Sequence, residues 1–258
     1  MSGVHSSPAA VDQHSDTIDE PLRVLVRRST VGALVVLILM FVSGLLVDLL
    51  VVDTSIGDAD LRVTSWFADH RTGVLDTVAT VGSSLADTFT VIGVLIGAVT
   101  MLAAAGRFRH GLFLVVAVAT EFSVFLATSY LIGRDRPDVD PLGEVPSTGS
   151  YPSGHVAVAI VLYGGLTVVA ASIGGHRRVG RIGGWITVVV ALFVGLSRLY
   201  EGVHHPIDVL GGALLGITAL LSAAWAFGLM PSPAAGPSNP HPQPAVNEPA
   251  GPTQVIGR

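Results

Sequence analysis

The sequence predicts an all-α integral membrane protein: a six-helix bundle with a short amphipathic extracytoplasmic segment between spans one and two. Half of the 258 residues are hydrophobic and only 13% are charged. With a mean hydropathy of +0.65, the chain has too little polar surface to cover a soluble core. The apolar residues also fall into six stretches, each close to the roughly 20 residues a helix needs to cross a bilayer. Short polar links separate them, so one membrane domain, residues 30–230, uses most of the chain.

The elements follow in order. Residues 1–29 form a polar N-terminal segment that ends in Arg23, Arg27 and Arg28. The apolar run Val31 to Val52 is the first span; it starts too late and runs too long for the apolar part of a signal peptide, so it reads as a retained anchor. From Asp53 to Asp87 the chain is acidic and broken. Within that stretch Val74, Leu75, Val78, Val81 and Leu85 recur at helical spacing, which suits a helix lying on the membrane, and Trp66 and Phe67 fit the interfacial belt. The remaining spans are Thr88 to Ala105, Leu112 to Ile132, Val156 to Ile173, Ile182 to Tyr200 and Ile207 to Met230. Residues 231–258 hold eight prolines among small and polar residues, too little apolar surface to offset the entropy of ordering, so a disordered cytoplasmic tail is expected.

Charge sets the expected orientation. Arg23, Arg27 and Arg28, then Arg107 and Arg109, then Arg177, Arg178 and Arg181 lie in the N-terminal segment and in alternate links. Arginine-rich segments stay in the cytoplasm. Both termini are then cytoplasmic in a multi-pass plasma-membrane protein, and the opposite face holds Asp53–Asp87, Gly133–His155 and Arg198–Pro206. Cysteine is absent, which excludes disulfides and thiolate metal sites. All fourteen basic side chains are arginine, so a cation at neutral pH must be Arg or protonated His.

Three polar clusters interrupt the hydrophobic pattern: Gly133–Pro137, Pro152–His155 and Ser197–Asp208. Each lies at the same end of a span, so one pocket can collect them. Arg134, Arg136 and Arg198 offer forked donors for phosphate oxygens. Pro152-Ser153-Gly154 opens a helix whose free backbone N–H groups face an anion, and Gly154 permits close approach. His204 and Asp208 are four residues apart; on a helix they share a face, so the carboxylate can take the Nδ1 proton and leave Nε2 to attack phosphorus. His155, from another span, can protonate the leaving oxygen.

Gly-Arg-Asp-Arg-Pro at 133–137, Pro-Ser-Gly-His at 152–155 and Ser-Arg-x5-His-x3-Asp at 197–208 together resemble the three-part signature of the type 2 phosphatidic acid phosphatases, relatives of the vanadium haloperoxidases. The resemblance implies that Arg136, Ser153, Gly154 and Arg198 hold the phosphoryl oxygens, that His155 is the general acid, His204 the nucleophile and Asp208 its orienter, and that neither metal nor other cofactor takes part. Its substrate would be a membrane lipid carrying a phosphate or diphosphate, such as polyprenyl diphosphate or phosphatidate, cleaved through a phosphohistidine on the extracytoplasmic face. One position departs from the signature: a lysine is expected seven residues before Arg136, where Ser129 stands. Arg134 is the candidate substitute.

Bland readings stand beside these. His205 is a turn residue flanking His204, and His70 and Arg71 are a solvated face that could cap the pocket. Glu121, mid-span, reads as a structural acid hydrogen-bonded between spans. Asp135, Asp138, Asp140 and Glu144 make a wet loop. Two other functions fit the pattern, a lipid phosphotransferase using the same site and a degenerate, non-catalytic binder of anionic lipid. Nothing in the sequence suggests nucleic-acid binding.

Overall fold

The computed structural model describes residues 16–230 apart from residue 144, with side chains from residue 22. The expected tail at 231–258, most of the segment 1–29 and Glu144 lie outside the described residues. Among those described there is no strand, and eight helices follow one another: α1 (Asp16–Leu50), α2 (Ser55–Asp69), α3 (Gly73–Ser84), α4 (Thr88–Ala104), α5 (Phe108–Ile132), α6 (Gly154–Gly174), α7 (Arg177–Tyr200) and α8 (Pro206–Ala226). Five of these, α1 from Leu22 onward and α5 to α8, are long and apolar enough to cross a membrane. A sixth span exists only if α3 and α4, bent by 41° at their junction, are taken as one. The chain is a multi-pass integral membrane protein.

The expected spans coincide with α1 and α4 to α8, but α1, α5 and α7 begin earlier than the apolar runs. Hydropathy marks the lipid-buried part of a helix, whereas arginine is a good helix former and lets the coil continue past the bilayer. The stretch Asp53–Asp87 differs more. It folds as two helices, each started by a threonine whose hydroxyl accepts a backbone N–H, Thr54 from Ile56 and Thr72 from Leu75. On α3 the residues Val74, Leu75, Val78 and Val81 are exposed, which leaves their apolar face free for lipid.

Helix α6 packs against α5, α7 and α8, while α1 lies across α5 and α8. Small residues permit the closest of these approaches. A Cβ on Gly216 would lie 2.7 Å from the Ala157 carbonyl oxygen and 2.8 Å from Ile160 Cβ, and one on Gly212 would collide with the Ser153 carbonyl. This small-xxx-small step of α8 is how membrane helices come together where lipid supplies no hydrophobic drive. It also brings the start of α6 against the start of α8, where the Ser153 N–H donates to the Asp208 carbonyl at 2.9 Å.

The two ends of the bundle differ chemically. At one end Arg28 lies over the Trp225 ring, Arg109 donates to the Phe227 carbonyl at 2.7 Å, and Phe113, Leu114 and Phe227 close the core. At the other, α2 and α3 fold over the end of α7, and α2 also touches α8. There Arg71 donates to the carbonyls of Tyr200 and Asp140, and Tyr200 donates to the Asp76 carboxylate at 2.6 Å.

Candidate active site

All three polar clusters meet at the second end. Helix α5 stops at Gly133, whose positive φ of 63° closes the last turn and redirects the chain. The following loop carries Arg134 and Arg136 back under α2 and α8. Helix α8 starts with His205 as its N-cap and Pro206 in its first turn.

That start corrects the expected geometry of His204 and Asp208. His204 precedes the helix, so the two residues do not share a helical face. Asp208 is the third residue of α8 and reaches back in a capping box, accepting the His205 N–H at 2.8 Å and facing His205 Nδ1 at 3.2 Å. Its Oδ2 stands 3.7 Å from His204 Nδ1, beyond hydrogen-bonding range. The group that orients His204 is the Ser150 carbonyl, 2.8 Å from Nδ1. A carbonyl only accepts, so Nδ1 carries the proton and Nε2 keeps its lone pair. His204 is 3% exposed. Burial lowers its pKa below the ordinary histidine value; Arg198 and Arg136 add to this, and Asp208 opposes it.

Arg134 is also placed otherwise than expected. One terminal nitrogen donates to Asp208 Oδ1 and the other to Asp60 Oδ2 at 2.8 Å, while Asp60 Oδ1 accepts the Ile207 N–H at 3.0 Å. Burial disfavours its charge, but Asp208 and Asp60 outweigh that and raise its pKa above the ordinary arginine value. Both terminal nitrogens of Arg134 are thus committed to carboxylates. Ser129 is itself fully buried and donates to the Gly149 carbonyl at 3.0 Å.

Arg136 and Arg198 are held differently. Arg136 donates to the carbonyls of Val203, Thr148 and Gly149 at 2.7, 3.2 and 3.3 Å, none of which neutralises it. Burial and the like charge of Arg198 push its pKa down, with Asp208 pulling the other way. Arg198 is anchored through one terminal nitrogen to Glu201 at 2.7 Å and Ser83 at 3.1 Å. In each arginine Nε is buried without a partner, as is the hydroxyl of Ser153. Gly154 packs its bare Cα against the Phe125 ring, which a Cβ would meet at 3.0 Å. His155, in the first turn of α6, has Nε2 3.2 Å from Asp87 Oδ1 and lies within electrostatic reach of Arg198 and His204.

The structure thus brings together His155, His204, Arg136, Arg198, Ser153 and Gly154, and assigns Arg134 and Asp208 to the frame around them. Residues 110–230 match the model of the PAP2 superfamily. This segment belongs to that superfamily. It contains every residue of the three clusters, while α1 to α4 precede it. Over 118 residues, 44% of this chain and 51% of the relative, it is 32% identical to the Bacitracin transport permease protein BcrC of Bacillus licheniformis. It is also 34% identical over 118 residues to the Putative undecaprenyl-diphosphatase YbjG of Escherichia coli K12, covering 43% and 55% of the two chains. The alignments thus span about half the length of these curated relatives. The crystal structure of a transmembrane PAP2 type phosphatidylglycerolphosphate phosphatase from Bacillus subtilis superposes with a TM-score of 0.61 at 25% identity, over 76% of this chain and 94% of that one.

Outside the PAP2 signature the site uses groups that sequence reasoning missed: Asp60, Asp87, Ser83, Glu201 and the Ser150 carbonyl. Asp60 and Asp87 stand in the acidic stretch that separates spans one and two, and their charge was the one available signal. Glu121 also differs from expectation. It is 2% exposed, forms no interspan hydrogen bond among the described residues, and lines a cavity between α4, α5 and α6.

Proposed function

We propose that this protein is a metal-independent phosphatase of lipid-linked phosphates or diphosphates, working through a phosphohistidine at His204. The observation that carries this reading is the set of buried, partnerless donors, Arg136 Nε, Arg198 Nε and Ser153 Oγ, beside a neutral histidine with a free Nε2. Two arginines that repel each other and lack carboxylates of their own for the Nε groups call for an anion with several oxygens. Free N–H groups in the first turn of α6, at Gly154 and His155, add donors to the same anion.

In the first step His204 Nε2 attacks phosphorus, the bond from phosphorus to the leaving oxygen breaks, and His155 gives that oxygen its proton. The Asp87 carboxylate holds one ring N–H of the His155 imidazolium and leaves the other ring nitrogen to act. Arg136 and Arg198 stabilise the charge that gathers on the phosphoryl oxygens. In the second step neutral His155 takes a proton from water, the water oxygen bonds to phosphorus, and the bond to Nε2 breaks, releasing phosphate and restoring both histidines. Asp208 supports His204 from 3.7 Å by charge, and through Arg134 and Asp60 it fixes the start of α8.

The cavity between α4, α5 and α6 is about 360 Å³, counts His155 among its lining and has mostly apolar walls, which suits the tail of a lipid whose phosphate lies among the arginines. The arginines at the opposite end of the bundle favour an extracytoplasmic site with both termini in the cytoplasm and α3–α4 as a bent sixth span. The names of the relatives, an undecaprenyl-diphosphatase and a phosphatidylglycerolphosphate phosphatase, support lipid phosphates as the substrate class.

The test is phosphate release from a panel of lipid phosphates by protein purified in detergent with a chelator present. Release that orthovanadate inhibits and that His204→Ala abolishes supports the reading. Equal release by the variant sinks it, and transfer to an added alcohol in preference to water would make the protein a phosphotransferase.

A further inference from the structure

An acid inside an apolar groove needs a reason. Glu121 lies on α5 one turn before Phe125, and Phe125 packs against Gly154 at the level where α6 begins and His155 stands. One helical turn puts Glu121 roughly 6 Å deeper in the bundle than that level. It is 2% exposed, and its neighbours in the groove are Val118, Ala119, Phe122 and Leu95. No hydrogen-bonding partner for its carboxyl occurs among the described residues.

An unpaired carboxylate in such surroundings is strongly disfavoured. The group is therefore carried as the neutral acid, with one O–H to donate and one carbonyl to accept. A lipid tail in the groove would cover it. If that tail offered only hydrocarbon at this depth, the donor would stay unsatisfied, which weakens binding. Prenyl chains are hydrocarbon from their first carbon onward. Acylglycerol phosphates instead carry ester carbonyls a few covalent bonds below phosphorus, which is the depth of Glu121 when the phosphate lies beside His155.

We propose that Glu121 is a specificity-determining residue whose acid O–H donates to an ester carbonyl of a diacylglycerol-type phosphate, so that this protein prefers acylglycerol phosphates to prenyl phosphates. The proposal rests on the phosphatase reading for the position of the phosphate, and its test separates the two. The probes are diacyl phosphatidate and its dialkyl ether analogue, which keeps the tails and the phosphate but lacks both carbonyls. With purified protein in detergent, the expected kcat/KM is about tenfold higher on the ester than on the ether, the worth of one neutral hydrogen bond. Glu121→Leu should bring that ratio close to one, and Glu121→Gln, which keeps a donor, should retain most of it.

A wild-type ratio near one overturns the proposal, as does a Glu121→Leu variant that is slower on both lipids with the ratio unchanged. The same comparison is made by binding, as the rise in unfolding temperature of the His204→Ala protein with each lipid. A larger rise with the ester, lost on adding Glu121→Leu, supports the proposal even if the wild type releases no phosphate from any lipid, which would refute the phosphatase reading alone. Equal rises overturn it.

Discussion

His204 has one proton, and the Ser150 carbonyl decides where it sits. Because that oxygen can only accept, the ring is fixed with Nε2 unprotonated, and burial with two nearby arginines keeps it so to lower pH than for a histidine in water. In the proposed reaction attack needs the neutral ring, so activity is lost as pH falls through the pKa of His204. The shift is downward, and the acid limb of kcat/KM should therefore lie below the ordinary histidine value of about 6.5. A pH–rate profile on a soluble short-chain phosphate checks this, and a limb at or above that value would mean that His204 is not the group titrating. That His155, His204, Arg136 and Arg198 gather at one end of the bundle was legible in the sequence, because their polar clusters interrupt the apolar runs at the same ends of the spans. The Ser150 carbonyl was not, since every residue has one and only the folded path aims it.

At the scale of elements, the junction of α2, α5 and α8 is a two-carboxylate clamp on Arg134. Asp60 contributes to it across 147 positions from Ile207 and 74 from Arg134. Spacing arguments cannot reach that far, and so α2 was read only as part of an acidic loop. The i, i+4 argument for His204 and Asp208 failed for a local reason: a capping box placed the N-cap at His205 and the helix start two residues after His204. The structure predicts that Asp60→Asn is a stability variant first. Loss of one charge-assisted bond to a buried arginine should cost about 2 kcal/mol, read as a lower unfolding temperature in detergent. Activity should fall mainly through kcat, as Asp208 and the start of α8 loosen.

For the whole molecule, hydropathy read the bundle well and the segment Asp53–Asp87 poorly. Bilayer-crossing helices need long apolar runs, whereas short helices folded over a site obey tertiary contacts. Orientation rests on the arginines, and the absence of cysteine makes it simple to measure. Val145 on the site side and His176 at the opposite end are both exposed. A membrane-impermeant maleimide applied to intact cells should label Val145→Cys and leave His176→Cys unlabelled until the membrane is opened. The reverse pattern would place the site in the cytoplasm.

The short run Thr148–Ser150 supports Arg136 and His204 with main-chain oxygens alone, three of them. What is held in place there is a path, not a set of side chains. Drift can therefore rewrite position 148 with a residue of similar size while the oxygens stay where they are, whereas Ser150 is tied further, its buried hydroxyl donating to the Asp135 carbonyl at 2.8 Å. Gly149 has no such freedom, because a Cβ would stand 2.8 Å from the Ser129 carbonyl oxygen. A motif search weighs letters, so it passes over a stretch of chain on which the placement of both His204 and Arg136 depends.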